Sequence, residues 1–452
     1  MNPLPILAAH GASWATRPLP DALAHHARRA LVDWFAALIP GCDRAPASLL
    51  AAALAPSRGP GRAICYVDGT RGALRHAALL NATASHIVEF DDIFRDAGYH
   101  PGCPVIGAAV AAAQDTGADM DGLLRAIIAG YEVSCRIGLA VAPSHYRHWH
   151  TTGTVGTFGA TAAVALLLGC DTEKMGHAIA TAATMAGGLR EAFAGSGMSK
   201  PMHPGHAADA GSLAAIAAAA GVTGAPNVLH GPAGFAAATS DSTGRWETAF
   251  VGLDDWFAIE RMTIKNHGCC GHIFAALDAV SVLRDAHGFG PDDIRSIEVA
   301  GYGATKGLCD RPEAATEQEA RFSAQYCIAA LLYLGGVRLE AFTPERLADP
   351  VLRGFMPRVS VVLDPEAEAA FPGRRSATVT ITLADGRVLK HFQPTRIGDP
   401  DAPLSDAQLG QKFMELTVPV IGQGPADALL HNLWTGRAVP GEIAMIHARR
   451  AA

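Results

Sequence analysis

Several helical stretches of this chain carry almost no polarity on any side. Residues 105–114 read Val-Ile-Gly-Ala-Ala-Val-Ala-Ala-Ala-Gln, and 153–169 and 205–221 are likewise built mostly from Ala, Gly, Val, Leu and Thr. A helix that is apolar all round must be covered all round, and small side chains let neighbouring backbones come close. Segments of this kind require a packed multi-helix domain. The composition agrees: 49% of the 452 residues are hydrophobic and only 17% are charged, against about 25% charged in an average soluble chain. A large core, or a subunit interface that hides further apolar surface, is the consequence.

Leu23, Ala27, Leu31, Trp34, Phe35 and Leu38 recur at helical spacing and place a helix over 20–40 that stops at Pro40-Gly41. Helices are expected over 47–54, 73–87, 120–138 and 173–186 too, so residues 1–260 read as all-α. Near 265 the pattern changes. Helical spacing over 270–287 and 319–335 is interleaved with strand-like alternation over 294–300 and a β-branched run at 359–363. Alternating residues 378–383 and 387–392 flank Asp385-Gly386, the signature of a β-hairpin. Helices return over 405–416 and 424–433. The expected fold is mainly α: a large all-helical domain from 1–265 plus 399–452, with a smaller α+β lid domain inserted at 266–398. A cleft between two such domains is a common place for a small-molecule site.

A net charge of −7 supplies no basic footprint for nucleic acid. The apolar runs are broken by His, Asp or Arg, so none predicts a membrane span, and the N-terminus has no signal-peptide layout. Nine cysteines without a regular framework read as reduced thiols of a cytoplasmic protein.

Four segments hold the residues that can do chemistry. After the apolar run 73–87, the acids Glu89, Asp91, Asp92 and Asp96 and the histidines His86 and His100 fall within fifteen residues. Desolvating carboxylates is costly, so such a knot fits either a cation site or carboxylates tuned for proton transfer; a solvated helix end is the plain alternative. A Gly/Ser-rich loop, 194–206, carries Lys200, His203 and His206 in front of an Ala-rich helix, a geometry suited to an anion. Lys200 stands alone between Lys174 and Lys265, and a lone lysine in apolar surroundings can act as a base. In the third segment, His145, Arg147, His148 and His150 precede Thr151, Thr152 and Thr154 at a helix start, where a threonine could cap the helix. The fourth, Lys265 to His272, contains His267-Gly-Cys269-Cys270-Gly-His272. Adjacent cysteines do not readily face one metal, so a loop lining a cleft is favoured over structural zinc. Asp91-Asp92 with Asp96 also matches half of the Mg-diphosphate motif of helical isoprenoid synthases, without a suitable second acidic cluster.

Taken together and in this order, the segments resemble the MmgE/PrpD family. The carrying residues are His86 to Asp92 with His100-Pro101-Gly102, Trp149-His150 leading into Gly153 to Ala160, Ser199 to His203, Lys265 with Cys269-Cys270, and Ala320 to Tyr326. The members carry out 2-methylcitrate dehydration, cis-aconitate decarboxylation and iminodisuccinate epimerisation. The resemblance implies a homodimer acting without metal or cofactor on a small di- or tricarboxylate. Residue by residue it implies catalytic roles for Lys200, His150, His100, Asp91 and Asp92. Substrate-binding roles are implied for Glu89, Lys265 and Cys270, with His203 and His272 beside them. Glu89 replaces the first Asp of the family's acidic motif, Ile93 its usual Thr or Ser, and Cys270 stands where decarboxylase members have histidine. The departures at Ile93 and Cys270 weigh against the decarboxylase and leave the acid open. The expectation is a lyase of the 2-methylcitrate dehydratase type, with an epimerase, a decarboxylase or an inactive ligand-binding paralogue as alternatives.

Overall fold

The structure is a computed structural model and describes residues 1–193 and 197–445. The chain divides into two compact units, Met1–Thr263 with Ser405–Ala452, and Ile264–Leu404. Among the described residues no helix is long and apolar enough to cross a membrane. All nine cysteines are free and buried.

In the first unit, helices Leu74–Ser85, Gly102–Thr116, Met120–Val141, Thr151–Leu167 and Met202–Ala219 pack directly on one another. Their glycines set the spacing. A Cβ on Gly159 would meet Val105 Cγ2 at 2.6 Å, one on Gly130 would meet the Gly159 carbonyl at 2.7 Å, and one on Gly211 the Thr157 carbonyl at 2.6 Å. These contacts are closer than any larger residue allows, so the all-apolar helices are fused along their small faces. Every residue from Thr151 to Ala165 is buried. Asp119 and Asp171 cap the Met120–Val141 and Thr172–Ala183 helices by accepting from the Gly122 and Lys174 N–H groups. Gly117, with φ +78°, terminates Gly102–Thr116 in the left-handed region.

Two expectations change in detail. Residues 1–260 are not wholly helical: Ala63–Cys65 (β1) and Thr70–Gly72 (β2) form a small antiparallel hairpin. Three-residue strands are too short to establish a period of two. The helix expected over 319–335 is two helices, Glu317–Arg321 and Ala324–Leu334. Ser323 breaks it, because its hydroxyl accepts from the Tyr326 N–H at 3.1 Å and starts a new N-terminus.

The second unit is built on a four-stranded mixed sheet in the order β4-β3-β5-β6. β3 (Ile294–Gly301) runs parallel to β4 (Val359–Leu363) and antiparallel to β5 (Ala377–Leu383), which pairs with β6 (Val388–Gln393) through the Asp385-Gly386 turn. Helices Phe274–His287 and Ala324–Leu334 join the buried face of the sheet in one core with Ile297, Val299, Val379 and Ile381.

Candidate active site

The acidic knot is buried. Glu89, Asp91 and Asp92 are 5%, 2% and 4% exposed, so the solvated-helix-end alternative fails. The Leu74–Ser85 helix stops at His86, and Glu89 turns the chain with φ +58°, a left-handed conformation that a non-glycine residue adopts only under constraint. Beyond it Ile93 pairs with Thr263 in both directions, at 2.9 and 2.8 Å, and Phe94 bridges to Tyr99. The knot is thus a fixed loop.

Each carboxylate has its own partners. Asp91 Oδ2 lies 2.7 Å from His86 Nδ1, 2.9 Å from His100 Nδ1 and 3.3 Å from the Cys103 thiol. Asp92 accepts from the Gly102 N–H at 2.9 Å through Oδ1 and from the Tyr131 hydroxyl at 2.7 Å through Oδ2. Burial, reinforced by the negative charges of Asp33 and Asp91, pushes Asp92 up to about 7 despite those bonds. Glu89 forms an ion pair with Lys200, whose Nζ also lies 5.3 Å from the centre of the Phe193 ring. Lys200 thus has an acid for a partner, which its isolation in the sequence does not show.

Imidazoles gather on the other side. The His86 ring stacks on His150 with centroids 5.5 Å apart, and meets His100 edge-on at 5.2 Å. His150 Nδ1 is 3.0 Å from His203 Nδ1. A hydrogen bond between two Nδ1 atoms needs one donor and one acceptor, so the two neutral rings hold opposite tautomers. Burial holds His150 well below the usual histidine range, with His86, Lys200, His203 and His100 adding to the effect. His203 is pushed down to about 4, again chiefly by burial. Both rings are neutral at pH 7. His86 Nε2 is buried and has no hydrogen-bond partner among the described residues.

His150 itself, not a threonine, occupies the N-cap of Thr151–Leu167, and no side chain caps that helix. Thr152 instead accepts from the His100 N–H at 3.2 Å. His145 is tied to the Thr154 hydroxyl at 2.7 Å and lies 3.1 Å from the Thr239 carbonyl oxygen. Asp96 lies on a half-exposed turn next to Arg95. Asp91 and Asp92 of the diphosphate-motif reading face different buried partners, the His86 ring and the Tyr131 hydroxyl. Ala194, Gly195 and Ser196 of the anion loop lie outside the described residues.

So the first unit brings together Glu89, Asp91, Asp92, His100, His150, Lys200 and His203. Lys265, Cys270 and His272 belong to the second unit. There Lys265 is 1% exposed. His272 Nδ1 is 2.7 Å from the Tyr302 hydroxyl, and the Cys270 N–H donates to the Arg321 carbonyl at 2.8 Å. Cys269 associates with Cys327, and Cys270 with Cys309.

Sequence reasoning missed Asp33, Cys103, Tyr131 and Lys412. Lys412 Nζ donates to Asp33 Oδ1 at 2.5 Å and to the Phe90 carbonyl at 2.8 Å, anchoring the knot from beneath. The available signal was one acid in the apolar run from Ala30 to Ile39.

Comparison with known proteins fits this arrangement. Human cis-aconitate decarboxylase is 28% identical over 365 residues, covering 75% of this chain and 71% of the relative. The mouse cis-aconitate decarboxylase is 27% identical over 356 residues, covering 75% and 70%. A cis-aconitate decarboxylase-like protein of Aspergillus oryzae is 27% identical over 372 residues, covering 76% of each chain. Residues 6–246 match the MmgE/PrpD N-terminal domain and 267–435 the MmgE/PrpD C-terminal domain. With both domain families matched in chain order and the knot of acids and imidazoles inside the first, this chain belongs to the MmgE/PrpD family.

Proposed function

We propose that this protein is a lyase of the dehydratase or decarboxylase type, acting without a cofactor on a small di- or tricarboxylate by proton transfer beside a carboxylate. The observation that carries the reading is Asp91 Oδ2, one buried carboxylate oxygen facing the Nδ1 atoms of two imidazoles. Its hydrogen bond fixes the orientation and tautomer of His86, His100 Nδ1 stands within ion-pair distance, and Nε2 of both rings is left as the working atom. Beside them His150 is neutral at working pH and has a lone pair available, which suits a general base. Lys200 is the cation for a substrate carboxylate and for the enediolate that proton removal creates, with Glu89 as its resting counter-ion. His100 is the acid that assists the leaving hydroxyl or returns a proton to carbon. Asp92 positions Tyr131 and the start of Gly102–Thr116.

Dehydration removes a proton and a hydroxyl from adjacent carbons; decarboxylation releases CO2 and protonates the carbanion left behind. Both run on this set, and the names of the relatives make cis-aconitate the first acid to test. Lys265, Cys270 and His272 are proposed substrate contacts on the family pattern, the inserted α+β unit a lid, and the active form a homodimer. Epimerisation, reprotonation on the opposite face, is the second reading, favoured by Cys270 in place of the decarboxylase histidine.

Proton NMR of the purified protein in D2O with EDTA tests the proposal, using cis-aconitate, 2-methylcitrate, citrate and iminodisuccinate. Turnover, or deuterium entering beside a carboxylate, with loss in His150→Gln and Lys200→Ala, is the expected result. No exchange with any of the four acids, or activity abolished by the chelator while the protein stays folded, sinks it.

A further inference from the structure

Away from the acid–imidazole knot, the small hairpin of the first unit gathers three ligating side chains of different chemistry. Cys65 ends β1, Asp68 sits in the loop that follows, and His76 lies on the first turn of Leu74–Ser85. The loop folds back because the Gly69 N–H donates to the Cys65 carbonyl at 2.9 Å. One ligand atom from each of the three residues lies within 4.8 Å of the other two. A second observation points to a ligand: His76 Nε2 is shut away from solvent and has no hydrogen-bond partner among the described residues. A buried nitrogen in that state is costly unless something occupies it. Asp68 is already held from outside. Its Oδ1 accepts from the Thr70 N–H at 3.0 Å and the Thr70 hydroxyl at 2.6 Å, and its Oδ2 accepts from Arg58 at 3.2 Å. Outer bonds of this kind orient metal-binding carboxylates, and they leave lone pairs for a cation.

We infer that Cys65, Asp68 and His76 form a binding site for one zinc-class divalent cation, separate from the catalytic residues, which staples the hairpin to the Leu74–Ser85 helix. The sulfur, nitrogen and oxygen donors select zinc or cobalt over magnesium or calcium. With bonds of about 2.0–2.3 Å, tetrahedral ligand atoms stand about 3.5 Å apart. The ion draws the three ligand atoms together from within 4.8 Å while the outer bonds of Asp68 are kept, and water completes the fourth position. A thiolate and a carboxylate balance the charge of the ion, and Arg58 stays on the outer carboxylate oxygen.

The test is titration of EDTA-stripped full-length protein with Co2+, followed by displacement with Zn2+. One cobalt per chain is expected, with a sulfur-to-cobalt charge-transfer band that one equivalent of zinc removes. Asp68→Asn and His76→Gln each weaken binding at least tenfold, and Cys65→Ser removes the band. Asp68 is on the surface, so Asp68→Asn reports on the site even where a buried replacement prevents folding. A second trio, His86, Asp91 and Cys103, is the competing destination. The inference is overturned by absence of bound metal, by unchanged affinity in Asp68→Asn, or by a band that survives Cys65→Ser and vanishes in a folded Cys103→Ser.

Discussion

Replacing Asp92 by asparagine should stabilise the protein at pH 8 and leave it little changed near pH 4. Asp92 titrates at about 7 in the folded chain and at about 3.9 when unfolded. The folded state therefore holds its proton longer. Below the unfolded value both states are protonated and the site costs nothing; as pH rises from about 4 to about 7 the unfolded chain ionises first and stability falls. The gap of about three units, at 1.36 kcal/mol per unit, amounts to about 4 kcal/mol at pH 8 and roughly 1 to 2 kcal/mol at pH 5. Asparagine has no charge to desolvate. Its carbonyl can accept from the Gly102 N–H as Asp92 Oδ1 does, and its amide can donate to the Tyr131 oxygen once that hydroxyl rotates. Urea unfolding of the protein and of Asp92→Asn between pH 5 and 8 measures the difference. An advantage that grows with pH by roughly 2 to 3 kcal/mol supports the reasoning. A difference that is flat across this range would show that Asp92 ionises normally and refute it.

Lys412→Met strands the Asp33 carboxylate and the Phe90 carbonyl and should cost about 3–5 kcal/mol, seen as a lowered urea midpoint, with part recovered in Asp33→Asn/Lys412→Met. Gly205→Ala drives a Cβ against Thr83 and to 2.6 Å from the Leu79 carbonyl, and should lower stability by about 1–3 kcal/mol. Gly307→Ala, with nothing within 4 Å of the added carbon, should be neutral or stabilising by about 0.5–1 kcal/mol in the same assay. If His150 is the base, the acid limb of kcat/KM lies below the usual histidine range, because burial depresses its proton affinity; a limb at or above that range assigns the base elsewhere.

Much of the fold is legible in the sequence because its signals are local. The apolar helices need cover on all sides, and Asp385-Gly386 names its own turn. The break at Ser323 is hidden since both flanking segments keep helical spacing, and only the cap bond to Tyr326 reveals it. At the site, the density of acids between Glu89 and Asp92 marks the knot, because so many carboxylates seldom share a short apolar context. What each acid does is tertiary information. Lys200 reads as solitary, and its counter-ion lies 111 residues away; Lys412 and Asp33 are 379 residues apart. No periodicity encodes such pairings.

The energetics of the knot argue for function over stability. Four buried acids, Asp33 among them, and two buried lysines are an expensive way to hold a loop, since well-packed apolar residues in place of buried ion pairs are often neutral or stabilising. Glu89 adds left-handed backbone, a further cost of about 1–3 kcal/mol. The loop nevertheless has one conformation fixed from several sides: Ile93 on Thr263, Phe94 on Tyr99, Asp92 on Gly102, and Phe90 on Lys412. One of those anchors, Gly102, opens the Gly102–Thr116 helix, where a Cβ on Gly107 would meet the Ala82 backbone at 3.1 Å, so little can relax around it. A site that must keep a carboxylate, two imidazoles and an ammonium within hydrogen-bonding reach, in a place that opposes charge, requires this rigidity. The small-residue helices are the frame in which a strained, charged loop can persist, and the loop is where that rigidity is put to chemical use.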